Sequence, residues 1–337
     1  MGWPKYGVGF VVLFVLGVSL KLARPVLVPF ALALLLAYAV SPGLAFLVRR
    51  KVPRTLALVV VLALSFAFLY LLGTVFYAGG KSLASELPSY TEMVRSSLER
   101  LDSLVPDPRL RVGVTEWLRG LNVAKAGSLL LAALGPFLSF MSGLLVVFVF
   151  MIFILAGRGR LVRKLDEALP AGQAPAVGRA AARIDREVQR YVAVKTLTSL
   201  LIGVLAAAVL AALGVRFAVV FGVLAFLFNF VPALGPVVSV ALPVLLAVVL
   251  GGGFTWRAAA ALVLLAAVHV AAHRFLERRL MGKAPALSPL LVLFSLFFGA
   301  WLWGIPGLFL AVPALTALRI VFENVPTLRG LGAMMGR

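Results

Sequence analysis

The chain has 337 residues, 63% of them hydrophobic and 13% charged, with a formal net charge of +20 and no cysteine. So large an apolar share does not fit one water-soluble core, which makes this an all-α polytopic membrane protein and excludes disulfides, thiolate metal sites and a cysteine nucleophile. The basic residues are spread over loops and span ends with no single basic domain, so membrane topology accounts for them and no nucleic-acid partner is expected.

Tyr6 to Leu22 is apolar enough for a first span. A cleaved leader is the rival reading, but further spans follow at once. Pro25 to Val48 is the second span, with Pro29 in its first turns and Pro42-Gly43 near its end, and Thr55 to Gly79 the third. Residues 1–79 thus form the first part of a scaffold. From Gly80 to Gly127 the chain turns polar, with seven basic and six acidic residues, so this nearly neutral segment is expected outside. Leu87, Val94, Leu98, Leu101 and Val105 recur at helical spacing there and predict one amphipathic helix ending at Pro106-Asp-Pro108. Residues 128–157 return as scaffold span four.

Residues 158–190 form a cytoplasmic amphipathic segment, helical after Pro175, that lies along the membrane surface. Three basic clusters belong inside by the positive-inside rule: Arg49 to Arg54, Arg158 to Arg190 and Arg274 to Lys283. They put both termini in the cytoplasm and offer contacts to anionic lipid headgroups. Tyr191 to Leu213 is span five, with Lys195 snorkelling from its cytoplasmic end. Phe254 to Ala272 is span six, anchored outside by Trp256.

Two further apolar stretches are interrupted by Pro and Gly. Phe217 to Leu250 breaks at Pro232-Ala-Leu-Gly-Pro236, and Leu287 to Phe322 breaks at Gly304-Ile-Pro306. Pro236 and Pro243 are seven apart, as are Pro306 and Pro313. Arms of the first stretch reach about 22 Å at 1.5 Å per residue, short of the roughly 30 Å hydrocarbon core. Both stretches therefore predict re-entrant hairpins, the first entering from outside and the second from inside. Residues 191–253 (span five with hairpin one) and 254–323 (span six with hairpin two) then make an inverted repeat, the pattern that marks a secondary-transporter site. Residues 324–337 are a cytoplasmic tail. Kinked full-length spans are the alternative for both stretches.

The candidate site follows from these tips. Asn229, the only asparagine within a hydrophobic segment, offers a donor and an acceptor to a small neutral polar solute, or else an interhelical hydrogen bond. Phe230, Pro232, Gly235 and Pro236 complete the first tip; Trp301, Trp303, Gly304 and Pro306 form the second, its indoles suited to stacking or to filling space. All twelve acidic residues are placed outside, inside or at span ends, Glu277 among the last, and that argues against ion exchange. His269, His273 and Glu277 have metal-ligand spacing, but HVAAH lacks the glutamate of HExxH, so they are expected in hydrogen bonds and lipid contacts. Nothing in the sequence asks for a cofactor, a metal or an enzyme's nucleophile.

The chain resembles the autoinducer-2 exporter family of bacterial permeases. The resemblance rests on NFVPALGP (Asn229 to Pro236), ERRLMGKAPALSPL (Glu277 to Leu290), WGIPGLFLAVPALTAL (Trp303 to Leu318) and RPVLVPFALALLLAYAVSP (Arg24 to Pro42). It implies a multi-pass carrier of the bacterial cytoplasmic membrane, assembled as a homo-oligomer, a pentamer, and linked to export of the quorum-sensing signal; other members are linked to sodium/proton exchange. Ala233 stands where an aromatic is common in that family. The expectation is about six spans plus two hairpins exporting a small neutral polar metabolite by an elevator-like alternating-access movement. Its rivals are a cation/proton antiporter and a non-transporting membrane scaffold.

Overall fold

The structure, a computed structural model, describes residues 15, 17–104, 143–157, 174–231, 234–250, 255–281, 287–324 and 329–335. These form helices and short connections, with no β-strand among the described residues. Of the expected first span, Tyr6 to Leu22, residues 15 and 17–22 are described; the rest lies outside the described residues, as do Val105, Pro106-Asp-Pro108 and residues 128–142 of span four.

Helix α1, Arg24–Arg49, starts with Pro25 where a missing N–H leaves no bond unmade, and carries Pro29 and Pro42 inside it. Helix α2, Arg54–Leu104, runs 51 residues without a break. Span three and the polar amphipathic helix are therefore one helix, not two elements meeting at Gly79-Gly80. A Cβ on Gly79 would strike the Val220 side chain, so this glycine serves close packing and not a turn. Helix α3, Gly143–Gly157, is the described part of span four.

Helix α4, Ala174–Ala212, is likewise one helix of 39 residues. The segment after Pro175 and span five are thus one continuous helix. On its exposed face Arg183 Nε donates to Glu187 Oε1 at 2.8 Å, an i, i+4 pair. That hydrogen bond, and then the Glu187 charge itself, hold the Arg183 guanidinium above its ordinary pKa, with Glu323 adding a smaller push.

The chain continues through α5 (Ala218–Phe228), α6 (Leu234–Leu250) and α7 (Trp256–Ala271), the last capped by Thr255, whose side chain accepts from the Ala258 amide. A π-helical turn, Ala272–Glu277, and one α-turn, Arg278–Met281, prolong α7. Then come α8 (Pro289–Trp303), α9 (Ile305–Asn324) and α10 (Arg329–Met334). Five helices among the described residues are long and apolar enough to cross a membrane: Arg24–Arg49, Arg54–Ser82, Asp185–Ala212, Trp256–Met281 and Ile305–Glu323. Four coincide with expected spans. The fifth is the return arm of the second hairpin, whose 20 residues give about 30 Å of helix, the length of a full crossing.

The chain divides into two compact units. The first holds Met1–Phe66, Gly143–Leu197 and Glu277–Arg337. Its core joins Ala33, Ala37 and Leu44 of α1, Ala57 and Val61 of α2, and Val147, Met151 and Leu155 of α3. Phe30 meets Phe150 edge-on at 5.6 Å, and α9 packs on α8, α10 and α1. The second unit holds Ala67–Ser142 and Thr198–Leu276. Ile202, Ala206 and Leu210 of α4 pack there with Phe221 and Ala225 of α5, Ala247 of α6, and Ala258, Ala261 and Leu265 of α7.

Alanine and glycine at these contacts let helix backbones approach closely, which is how helices associate where lipid removes the hydrophobic drive. The outer faces are inverted relative to a water-soluble protein: Phe153, Phe275, Leu290 and Phe297 are all at least 70% exposed. Such surface matches a hydrocarbon solvent.

Candidate functional site

The first tip lies wholly within the second unit. Helix α5 is all apolar and ends at Phe228; Asn229 and Phe230 form the turn that follows, and the chain re-enters helix at Leu234. The break thus starts at Asn229, three residues before the expected Pro232, and Gly235 and Pro236 sit in the first turn of α6. Pro232 and Ala233 lie outside the described residues. A Cβ on Gly235 would collide with the Phe228 carbonyl oxygen, so only glycine lets α6 start this close to the end of α5.

Asn229 is 1% exposed. Its Nδ2 donates to Ser199 Oγ on α4 at 2.9 Å. Its Oδ1 is buried and finds no hydrogen-bond partner among the described residues, and the same holds for Ser239 Oγ, which is 3% exposed. Ser239 follows Gly235 by one turn on the buried face of α6 that continues to Pro243 and Ala247. A buried polar atom left open among the described residues is unusual, because desolvating such a group without a partner costs about 1 to 3 kcal/mol. Phe226 stacks edge-on with both Phe230 (5.7 Å) and Phe68 (5.8 Å), giving the turn an aromatic neighbour. Behind it, Gly203 of α4 and Gly222 of α5 bring their backbones together, since a Cβ on either would lie 2.6 to 2.8 Å from the other's carbonyl oxygen.

The second tip lies within the first unit and is built differently. Helix α8 stops at Gly304, whose φ of 68° and ψ of −139° suit glycine alone. Helix α9 restarts at Ile305, with Pro306 in its first turn. A Cβ on Gly307 would strike the Gly299 carbonyl, so the two arms cross in backbone contact. Trp303 Nε1 donates to Leu20 O at 3.1 Å, which occupies its one donor. Trp301 is 58% exposed, with Lys21 Nζ 4.9 Å from its ring centroid. The four tip-two residues are adjacent, and of the two indole donors that of Trp303 is taken by Leu20.

Elsewhere the structure corrects one expectation outright. Lys195 does not snorkel: it is 6% exposed, and its Nζ meets Glu277 Oε1 at 3.2 Å. His269, His273 and Glu277 do not assemble a metal site, and no group of three potential metal ligands occurs among the described residues. His269 Nδ1 instead lies 3.2 Å from Leu265 O. Sequence reading missed Ser199, Ser239 and the Lys195 ion pair. The first two leave a faint signal as small hydroxyls in apolar runs; the third required knowing that residues 82 apart meet.

Comparison with known proteins covers nearly the whole chain. The profile of the AI-2E family transporter matches residues 9–327. The AI-2 transport protein TqsA of Escherichia coli K12 is 31% identical over 94% of this chain and 90% of its own length. Two proteins named for transport without a stated solute are each 28% identical: one from Haemophilus influenzae, over 98% of this chain and 95% of the relative, and YhhT of Escherichia coli K12, over 96% and 92%.

Proposed function

The chain belongs to the AI-2E transporter family, and from that premise we propose that it exports a small neutral polar metabolite such as autoinducer-2 across the bacterial cytoplasmic membrane. The observation that carries this reading is Asn229: an amide 1% exposed, at a break between two apolar helices, with one N–H given to Ser199 and its Oδ1 without a partner among the described residues. An open carbonyl-type acceptor held rigidly in apolar surroundings favours a ligand that donates hydrogen bonds without carrying a full charge, as a polyhydroxylated solute does.

Asn229 Oδ1 and Ser239 Oγ accept from the solute's hydroxyls in this reading, with Phe230, Gly235, Pro236 and the backbone at Pro232 shaping the contact. Trp301, Trp303, Gly304 and Pro306 are not needed as hydrogen-bonding groups. An elevator-like movement, a homo-oligomer and cytoplasmic termini belong to the same proposal, on the strength of the family resemblance.

The test is flux of labelled autoinducer-2 in vesicles containing the purified protein. Asn229→Ala is expected to weaken the apparent affinity about tenfold, the worth of one hydrogen bond of about 1.4 kcal/mol. Unchanged flux and affinity in a folded Asn229→Ala variant would remove this residue from the site.

A further inference from the structure

The second break has two cations beside it that lie far away in the chain. Trp303 Nε1 donates to Leu20 O at 3.1 Å, Lys21 Nζ lies 4.9 Å from the Trp301 ring centroid, and Arg24 Nη2 is 3.7 Å from where a Cβ on Gly304 would stand. All of these residues belong to the first unit. Lys21 and Arg24 are exposed, and neither pairs with a carboxylate among the described residues. Helix α1 starts at Arg24 and α9 at Ile305, neither with an acidic residue in its first turn, so the positive ends of two helix dipoles add to the same charge.

The depth of this cluster follows from α1. That helix has 26 residues, about 39 Å of rise, and ends at Arg49 with Arg50 and Lys51 next. The positive-inside rule puts that basic end in the cytoplasm, so the other end, with Lys21 and Arg24, reaches the opposite surface. Gly304 stands beside that far end. A tip halfway into the bilayer would carry both cations into hydrocarbon, where charged side chains are costly.

We propose that Lys21, Arg24 and Trp301 bind the phosphate of an anionic phospholipid in the extracytoplasmic leaflet, and that this headgroup fixes the tip of the second hairpin at the membrane surface. The two arms, α8 and α9, then cross the bilayer as a kinked pair of spans. What lies beneath the cations favours a lipid over a free phosphate ion. Trp301, Phe297 and Phe294 follow one another down one face of α8, 58%, 70% and 63% exposed. Phe298 stands 5.9 Å from Trp301 and 6.0 Å from Phe294, ring to ring. Acyl chains fit that face, whereas an inorganic ion leaves it uncovered. The Trp301 indole N–H has no partner among the described residues and adds a donor at the level of the headgroup. Charge favours an anionic lipid over a zwitterionic one, because a choline or ethanolamine group would bring a third cation to a place that already holds two.

The experiment uses the full chain and has two arms. Because the chain has no cysteine, Ile305→Cys (Ile305 being 56% exposed) and Lys21→Cys report the side on which the tip stands. In intact spheroplasts a membrane-impermeant maleimide is expected to label both; labelling only after lysis, or none, would overturn the placement. In the second arm, tryptophan quenching by brominated phosphatidylglycerol is compared with quenching by brominated phosphatidylcholine in nanodiscs, and the part lost in Trp301→Phe belongs to this site. Phosphatidylglycerol is expected to quench Trp301 more strongly. Lys21→Gln and Arg24→Gln are each expected to weaken that preference about fivefold, with the thermal midpoint in phosphatidylcholine unchanged. Arg278→Gln/Arg279→Gln, at the cytoplasmic end, is expected to leave the Trp301 signal as it was. Equal quenching by the two lipids, or no change in the Lys21 and Arg24 variants, would overturn the site. Displacement of brominated phosphatidylglycerol by millimolar inorganic phosphate would overturn the lipid as its occupant. Neither arm depends on the transported solute.

Discussion

The two hairpins share a proline spacing of seven and almost nothing else. The first, with arms of 11 and 17 residues, wraps a polar side chain: Asn229 is enclosed, bonded to Ser199 and, among the described residues, without a partner at Oδ1. The second, with arms of 15 and 20 residues, turns at its tip on Gly304, is fixed by Trp303 to Leu20 and leaves Trp301 exposed. The first tip therefore carries a buried amide beside its break, and the second turns on a glycine and an indole hydrogen bond. A repeated break pattern specifies where helix stops, because proline and glycine act on the backbone, but it says nothing of the polar atoms left at the stop.

The comparison breaks most readily at the glycines. Gly307→Val, which drives a side chain into the Gly299 carbonyl, is expected to destabilise the protein by about 3 kcal/mol, seen as a lower thermal midpoint in detergent. The same substitution at Gly203 in the other unit is expected to cost a similar amount, and a harmless outcome at either would show that the close approach is dispensable. Next comes Gly304→Ala, expected to cost about 1 to 3 kcal/mol because φ is 68°; no alanine-compatible backbone exists at that joint.

Asn229→Ala, by contrast, is expected to lower stability by only about 1 kcal/mol while reducing solute affinity, so that stability and flux separate at the first tip. Trp303→Phe loses one hydrogen bond to Leu20, again about 1 kcal/mol, and is expected to leave solute affinity unchanged. The smallest effect belongs to Trp301→Ala, where an exposed cation–π contact is worth about 0.5 to 1 kcal/mol. If Trp301→Ala or Trp303→Phe weakened solute affinity as much as Asn229→Ala, the division of roles between the tips would fall.

Much of this architecture was legible in advance. Long apolar runs bounded by Arg clusters located α1, the start of α2, α4 and α7, and the Pro/Gly breaks located where helix stops between α5 and α6 and between α8 and α9. What failed, failed at continuity. Gly79-Gly80 read as a boundary, yet α2 passes through it, since a glycine inside a helix costs only about 1 kcal/mol and here permits contact with Val220. The cytoplasmic helix after Pro175 read as separate from span five, yet amphipathicity alone does not tell a helix lying on the membrane from the protruding end of one crossing it. At the site, Asn229 stood out because an amide in an apolar run is rare. Lys195 looked like a snorkelling residue because its long stem permits either destination, and only the position of Glu277 decides between them.

From residue order alone came the membrane as solvent, the helical class, the interruption at each tip and the family. Those properties depend on local composition and backbone chemistry, which neighbours along the chain determine. The enclosure of Asn229 by Ser199 and the meeting of Lys195 with Glu277 depend on which helix faces lie together. Packing settles that, because a buried polar atom takes its meaning from whatever stands within about 3 Å of it, and those partners lie 30 and 82 residues away.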